Sequence, residues 1–228
     1  MPSAVPRSIV GVALGLQAIA QAASANAGAP FWDQQHDLVG FLPSEQGTAI
    51  GSARTADDFI FGTLFLTSIE VEMIVSYPNS PSTFGVDVLT EVNGGPGEVV
   101  LSFDSPVVSD LGPWNGDPDL HHLVVFFDTG LSMLDAGVAY WLSPFGVGNG
   151  SGADRAYWGT SEFANPTREQ GMFRSTELGF PDWTGVSHPD LLGTESGFAF
   201  TLTGRMPAPG ALVVFGLAFL TGKQRRRS

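Results

Sequence analysis

The chain has 228 residues, 43% hydrophobic and only 14% charged, with 23 acidic side chains against 10 basic ones and no cysteine. That is too apolar for a disordered acidic tail, and it excludes a disulfide framework, a Cys-ligated zinc or iron–sulfur centre and a thiol nucleophile. Every carboxylate lies between Asp33 and Glu195, and the only cations of residues 26–205 are Arg54, Arg155, Arg168, Arg174 and Arg205. A surface of that sign repels phosphate backbones, so no nucleic-acid partner is expected.

The N-terminus has the three parts of a secretory signal peptide. Arg7 supplies the charge, Ile9 to Ala20 the short apolar stretch, and Ala23-Ser24-Ala25 or Ala25-Asn26-Ala27 the small-residue cleavage site. We therefore read residues 1–25 as a signal peptide and expect the protein to be exported.

Residues 26–205 read as one all-β domain. Ile69, Val71, Met73 and Val75 alternate with Ser68, Glu70, Glu72 and Ile74, which is a strand with one wet face over most of its length. Phe84, Val86 and Val88 repeat the period. Asn93-Gly94-Gly95-Pro96-Gly97 is a turn, after which Glu98 to Phe103 resumes the strand. Leu120 to Phe127 reads as a strand buried on both faces, followed by Val138 to Leu142 and by a closing strand with Phe198, Phe200 and Leu202 on one side. Short strands joined by Gly, Pro and Asp turns predict a β-sandwich, jelly-roll-like in outline.

Several segments carry residues with chemical potential. In Trp114-Asn115-Gly116-Asp117-Pro118-Asp119, Asn115, Asp117 and Asp119 place oxygen atoms at alternate positions, the spacing of a calcium loop. The same residues also suit an Asx-rich turn, and Phe126 stands where an EF-hand would need its glutamate. His121 and His122 point to opposite faces of a strand and cannot share a metal. Glu70 and Glu72 share a face at about 6.5 Å, a separation found in glycosidases but equally on any polar strand face. No G-x-S-x-G elbow occurs, and Gly148 to Gly152 lacks the lysine of a phosphate loop. Trp114, Trp158 and Trp183 lie near predicted turns, as does Trp32, and the first three are candidates for stacking on sugar rings.

The C-terminal residues 206–228 close the chain with Pro207-Ala208-Pro209, an apolar run from Ala211 to Leu220, and the cations Lys223, Arg225, Arg226 and Arg227. The run predicts a short hydrophobic helix. From Gly210 to Gly222 it would rise about 20 Å, less than a hydrocarbon core of about 30 Å. The cationic cluster would stay on the cytoplasmic side.

This order of parts resembles the PEP-CTERM sorting signal of exported bacterial proteins handled by exosortases, with Ala208 where the usual signal has glutamate. Three internal segments are similar to exported domains of that kind and to related planctomycete-type domains: Ala56 to Phe61 leading into Thr67-Ser68-Ile69, Ala136 to Ser143 with Tyr157 to Ser161, and Phe198 to Gly204. The resemblance implies an exosortase-type enzyme acting near Pro207-Ala208-Pro209, membrane contact through the C-terminal helix beforehand, and a surface or matrix protein without assigned catalysis. We expect a non-enzymatic structural or adhesive protein of the cell envelope or its exopolysaccharide. The alternatives are a carbohydrate-binding module, with or without calcium, and, third, a polysaccharide hydrolase.

Overall fold

The computed structural model describes residues 30–37, 39–48, 51–62, 65–149, 154–161 and 171–205. The expected signal peptide, the Pro207-Ala208-Pro209 motif, the apolar run and the cations Lys223, Arg225, Arg226 and Arg227 lie outside the described residues.

Fifteen strands are formed, with no helix among the described residues. In chain order they are β1 (Pro30–Gln34), β2 (Phe41–Pro43), β3 (Glu45–Thr48), β4 (Gly51–Ile60), β5 (Phe65–Ser76), β6 (Thr83–Val92), β7 (Gly95–Phe103) and β8 (Val107–Trp114). Then come β9 (Asp117–Met133), β10 (Ala139–Val147), β11 (Ala156–Ser161), β12 (Met172–Ser175), β13 (Phe180–Gly185), β14 (Gly197–Phe198) and β15 (Phe200–Arg205).

The strands build a two-sheet sandwich. The first sheet holds β1, β15, β5, β11 and β14, with β2 on β11 and β8 and β9 continuing from β5; the second runs β13-β12-β4-β3-β10-β6-β7, with β4 also paired to β10. The run β5-β9-β8 in one sheet and β4-β10-β6 in the other interleave in sequence, which is the jelly-roll-like wrapping expected from the strand pattern.

Alternation explains the core. Ile69, Val71, Met73 and Val75 of β5 are buried together with Val86 and Val88 of β6, Leu142 of β10, and Phe198, Phe200 and Leu202 near the end of the domain. Removing such faces from water is the main term that favours the sandwich. Asn-Gly pairs set two of the hairpins. Asn93 and Gly94 join β6 to β7, and Asn115 and Gly116 join β8 to β9, all four with positive φ (54°, 85°, 50° and 79°) as a two-residue turn of matching twist requires.

Strand β9 corrects one expectation. Leu123, Val125 and Phe127 face the core, but Phe126 is 37% exposed, so the strand is buried on one side only. The outer face of the first sheet carries no covering layer there among the described residues, and a continuous apolar run does not by itself distinguish the two cases.

Polar side chains tie the two sheets together. The chain passes from β2 in the first sheet to β3 in the second at Ser44 and Glu45, both fully buried. At this corner Ser44 N–H donates to Ala156 O at 2.9 Å. Glu45 accepts from Ala156 N–H at 2.8 Å and from Arg155 Nε at 2.9 Å. A buried corner without such partners would leave backbone groups desolvated. Asp57 of β4 does the same at the closing strands, accepting from Phe198 N–H at 2.8 Å and, with the Gln34 amide, forming a buried polar link. Burial holds the Asp57 carboxyl well above its ordinary range.

Candidate functional site

The outer face of the second sheet carries the most chemically varied surface. Arg54 of β4 and Arg174 of β12 are direct cross-strand partners. Asp87 of β6 forms an ion pair with Arg54 and also accepts from Ser102 Oγ at 2.7 Å. Arg54 Nε donates to Ser143 Oγ at 3.3 Å, and its guanidinium lies 3.8 Å over the Phe145 ring. These contacts fix one arginine. Burial lowers the Arg54 pKa from its ordinary value, the Asp87 charge opposes that, and the Arg174 charge adds to it.

Arg174 is exposed, with its guanidinium 4.8 Å above the Trp183 ring. No carboxylate among the described residues forms an ion pair with it. Gln46, Ser52, Leu89 and Val99 complete a hollow of about 250 Å³ with both arginines, Asp87, Ser143 and Trp183. Past Ser52 and the arginines lies an adjoining hollow of about 270 Å³, bordered by Ser175, Thr176 and Glu177. Planar polar groups beside the apolar side chains of Leu89 and Val99 can hydrogen-bond and orient a polar ligand.

The other expected site residues fall elsewhere. Trp158 is not on a turn. It is fully buried in β11, stacks on Phe198 at 5.0 Å and donates from Nε1 to Ala199 O at 2.8 Å, so it cannot stack on a sugar. Trp114 is half-buried and packs edge-on against Phe41 at 5.1 Å. Trp183 lies within β13, and its ring face is taken by Arg174 instead of being open to a sugar. Trp32 stacks on Phe200 at 6.2 Å.

Asn115, Asp117 and Asp119 lie at the hairpin between β8 and β9. Asn115 occupies the two-residue turn, Asp117 is already paired opposite Trp114, and Asp117 Oδ1 accepts from Asp119 N–H at 2.9 Å. The segment takes the Asx-turn form. Among the described residues no group of three or more His, Asp or Glu side chains is placed to hold a metal ion.

Two further clusters were not legible in the sequence. At one rim of the sandwich, Tyr77 stacks on His121 at 3.9 Å, and His121 Nδ1 lies 2.7 Å from Asp110 Oδ2. The pair borders a hollow of about 430 Å³ with Pro81, Pro106 and Val108. This is the largest of these hollows, but mutual stacking already covers one face of each ring.

On the outer face of the first sheet, His122 Nε2 is 2.8 Å from Glu72 Oε2, and the His36 ring lies 5.2 Å from that of His122. Gly159 makes room for His36: a Cβ there would sit 2.0 Å from His36 Cδ2. Burial raises the Glu72 pKa, but the His122 hydrogen bond and the two histidine charges outweigh it, leaving the carboxyl below its ordinary value. Glu70, beside it, is raised by burial and by the charges of Glu72 and Asp33. Neither glutamate lines any of the three hollows.

His36 is lowered from 6.5 chiefly by burial, with His122 adding to the effect and Glu72 and Asp37 opposing it. Its folded pKa lies below the unfolded value, so the unfolded chain takes up this proton first. Stability should therefore fall as pH drops from about 6.5 towards the folded pKa. We expect the urea midpoint to fall as pH is lowered below about 6.5, and to fall less in His36→Gln. An unchanged slope in the variant would remove His36 from this account.

The chain matches no protein-family model. No curated protein matches it either. Among solved structures it is similar to the crystal structure of the cysteine protease and lectin-like domains of Cwp84, a surface layer associated protein of Clostridium difficile, with 13% identity and a TM-score of 0.43. The match covers 68% of this chain and 32% of that one, so the chain spans about a third of the length of the protein it matches.

Proposed function

We propose that the protein is exported and sorted to the cell surface through its PEP-CTERM-like tail, where its β-sandwich adheres to polysaccharide of the envelope or matrix. The observation that carries the binding part is the hollow on the second sheet, where Gln46, Ser52, Arg54, Asp87, Ser143 and Arg174 lie beside the apolar side chains of Leu89 and Val99. Sugars offer hydroxyl groups and apolar ring faces together, and a site of this composition suits both. The charge-segregated ends support the sorting part: a short apolar run followed by Lys223, Arg225, Arg226 and Arg227, at the far end from the signal-like N-terminus.

Affinity electrophoresis through gels containing the host's envelope polysaccharide tests adhesion. The full chain is expected to be retarded, and Ser52→Trp, which fills the hollow from an exposed position, is expected to run as it does in a plain gel. Equal mobility of the unmodified protein in both gels would contradict the proposal. Mass spectrometry of the mature protein from its host tests sorting, with a new C-terminus near Pro207-Ala208-Pro209 expected and an intact Ser228 standing against it.

A further inference from the structure

We infer that the hollow on the second sheet recognises acidic polysaccharide, gripping a carboxylate or sulfate substituent between Arg54 and Arg174. The inference rests on the polysaccharide reading and adds the chemical class of the ligand.

Residues 26–205 hold five cations against 23 carboxylates. In so acidic a domain, arginines would be expected to disperse among carboxylates. Arg155 does so, on Glu45. Arg54 and Arg174 instead stand directly opposite each other on neighbouring strands, an arrangement that is destabilising for like charges. Among the described residues one carboxylate, Asp87, forms an ion pair with either arginine, and it is engaged with Arg54 and Ser102, while Glu177 borders the adjoining hollow. Among the described residues Arg174 has the Trp183 ring as its close partner, which orients the guanidinium without neutralising it.

A bound oxyanion would pair with the Arg174 guanidinium, which forms no ion pair among the described residues. Arginine presents planar paired donors that match carboxylate and sulfate geometry, and Arg54 is already immobilised by Asp87, Ser143 and Phe145, so little side-chain freedom remains to be lost there. Gln46 and Ser52 stand beside the arginines for hydroxyl groups of the same sugar. Glu177, in the adjoining hollow, disfavours a second anion next to the first and leaves that position to an uncharged part of the chain. Trp183 acts as a positioning residue for Arg174.

Calorimetric titration of the full chain with three probes tests this: an oligogalacturonate, a neutral galacto-oligosaccharide of similar length and a sulfated galactan oligomer. At least one acidic probe is expected to bind about tenfold or more tightly than the neutral one, with affinity falling as salt is raised. Whichever acidic probe binds identifies the oxyanion. Arg174→Ala is expected to bring the acidic-to-neutral ratio close to one, and Arg174→Lys to restore part of it, with the melting temperature confirming that each variant is folded.

Equal affinity for acidic and neutral probes, with binding lost in Ser52→Trp, would overturn the inference and leave the polysaccharide reading standing. An acidic preference that survives Arg174→Ala would also overturn it. Failure of the host polysaccharide and of all three probes to bind would remove both.

Discussion

Trp158→Ala is expected to lower the melting temperature by on the order of 10 °C. The indole is fully buried, stacks on Phe198 at 5.0 Å, packs near Phe200 at 5.8 Å and makes a buried hydrogen bond to Ala199 O. Truncating a buried tryptophan costs about 3–5 kcal/mol through lost transfer energy and the cavity left behind. The Ala199 carbonyl would also lose its shorter hydrogen bond and keep only the Glu72 N–H at 3.3 Å. In a domain of this size each kcal/mol moves the midpoint by roughly 2–4 °C. Trp158→Phe should recover part of the loss, because it restores volume without the hydrogen bond. A midpoint within about 2 °C of the unmodified protein for Trp158→Ala would show that the side chain is not in the core.

Glu45→Ala is expected to be nearly as damaging. Glu45 is wholly buried where the chain changes sheets, with one oxygen on Arg155 and the other on Ala156 N–H. Breaking a buried pair by removing one partner costs about 3–5 kcal/mol when the other charge is stranded. Arg155 is 26% exposed and can turn towards water, so the lower end, about 3 kcal/mol, is expected. Glu45→Gln keeps the shape and one set of acceptors and should lose about half as much. Urea denaturation of both variants checks the order; equal stability for Glu45→Ala and the unmodified protein would mean that the corner is held by its backbone alone.

The sandwich was readable wherever a strand presents one face to the core. The period-two pattern of β5 needs only local sequence, and each Asn-Gly pair names its own hairpin. The pattern failed where burial depends on distant partners. Phe126 lies in an apolar run that looks two-sided, yet its outward face is open because nothing among the described residues covers that part of the first sheet. The short strands β2, β3, β12 and β13 were not anticipated, since three to six residues give too few periods to count.

Trp158, expected near a turn, lies inside a strand. The following Gly159 also lies inside β11, where the His36 ring occupies the space a side chain would fill. Similarly, His36 and His122 are far apart in sequence, and so are Arg54 and Arg174; only the sheet pairings bring each couple together. One signal for the arginine pair was present: in a segment so poor in cations, each arginine has to be accounted for, and charge counting alone marks Arg54 and Arg174 as positions to examine. Asp87, Ser143 and Gln46 carried no such mark.

The central claim is that ligand enters between Arg54 and Arg174 on the second sheet. Titrating the isotopically labelled full chain with the acidic oligosaccharide while recording amide and side-chain NMR signals tests it most directly. The expected result is a contiguous set of shifts at Gln46, Ser52, Arg54, Arg174 and the Trp183 indole, with Tyr77 and His121 unchanged. Shifts confined to Tyr77, Asp110 and His121, or no shifts at saturating oligosaccharide, would contradict it.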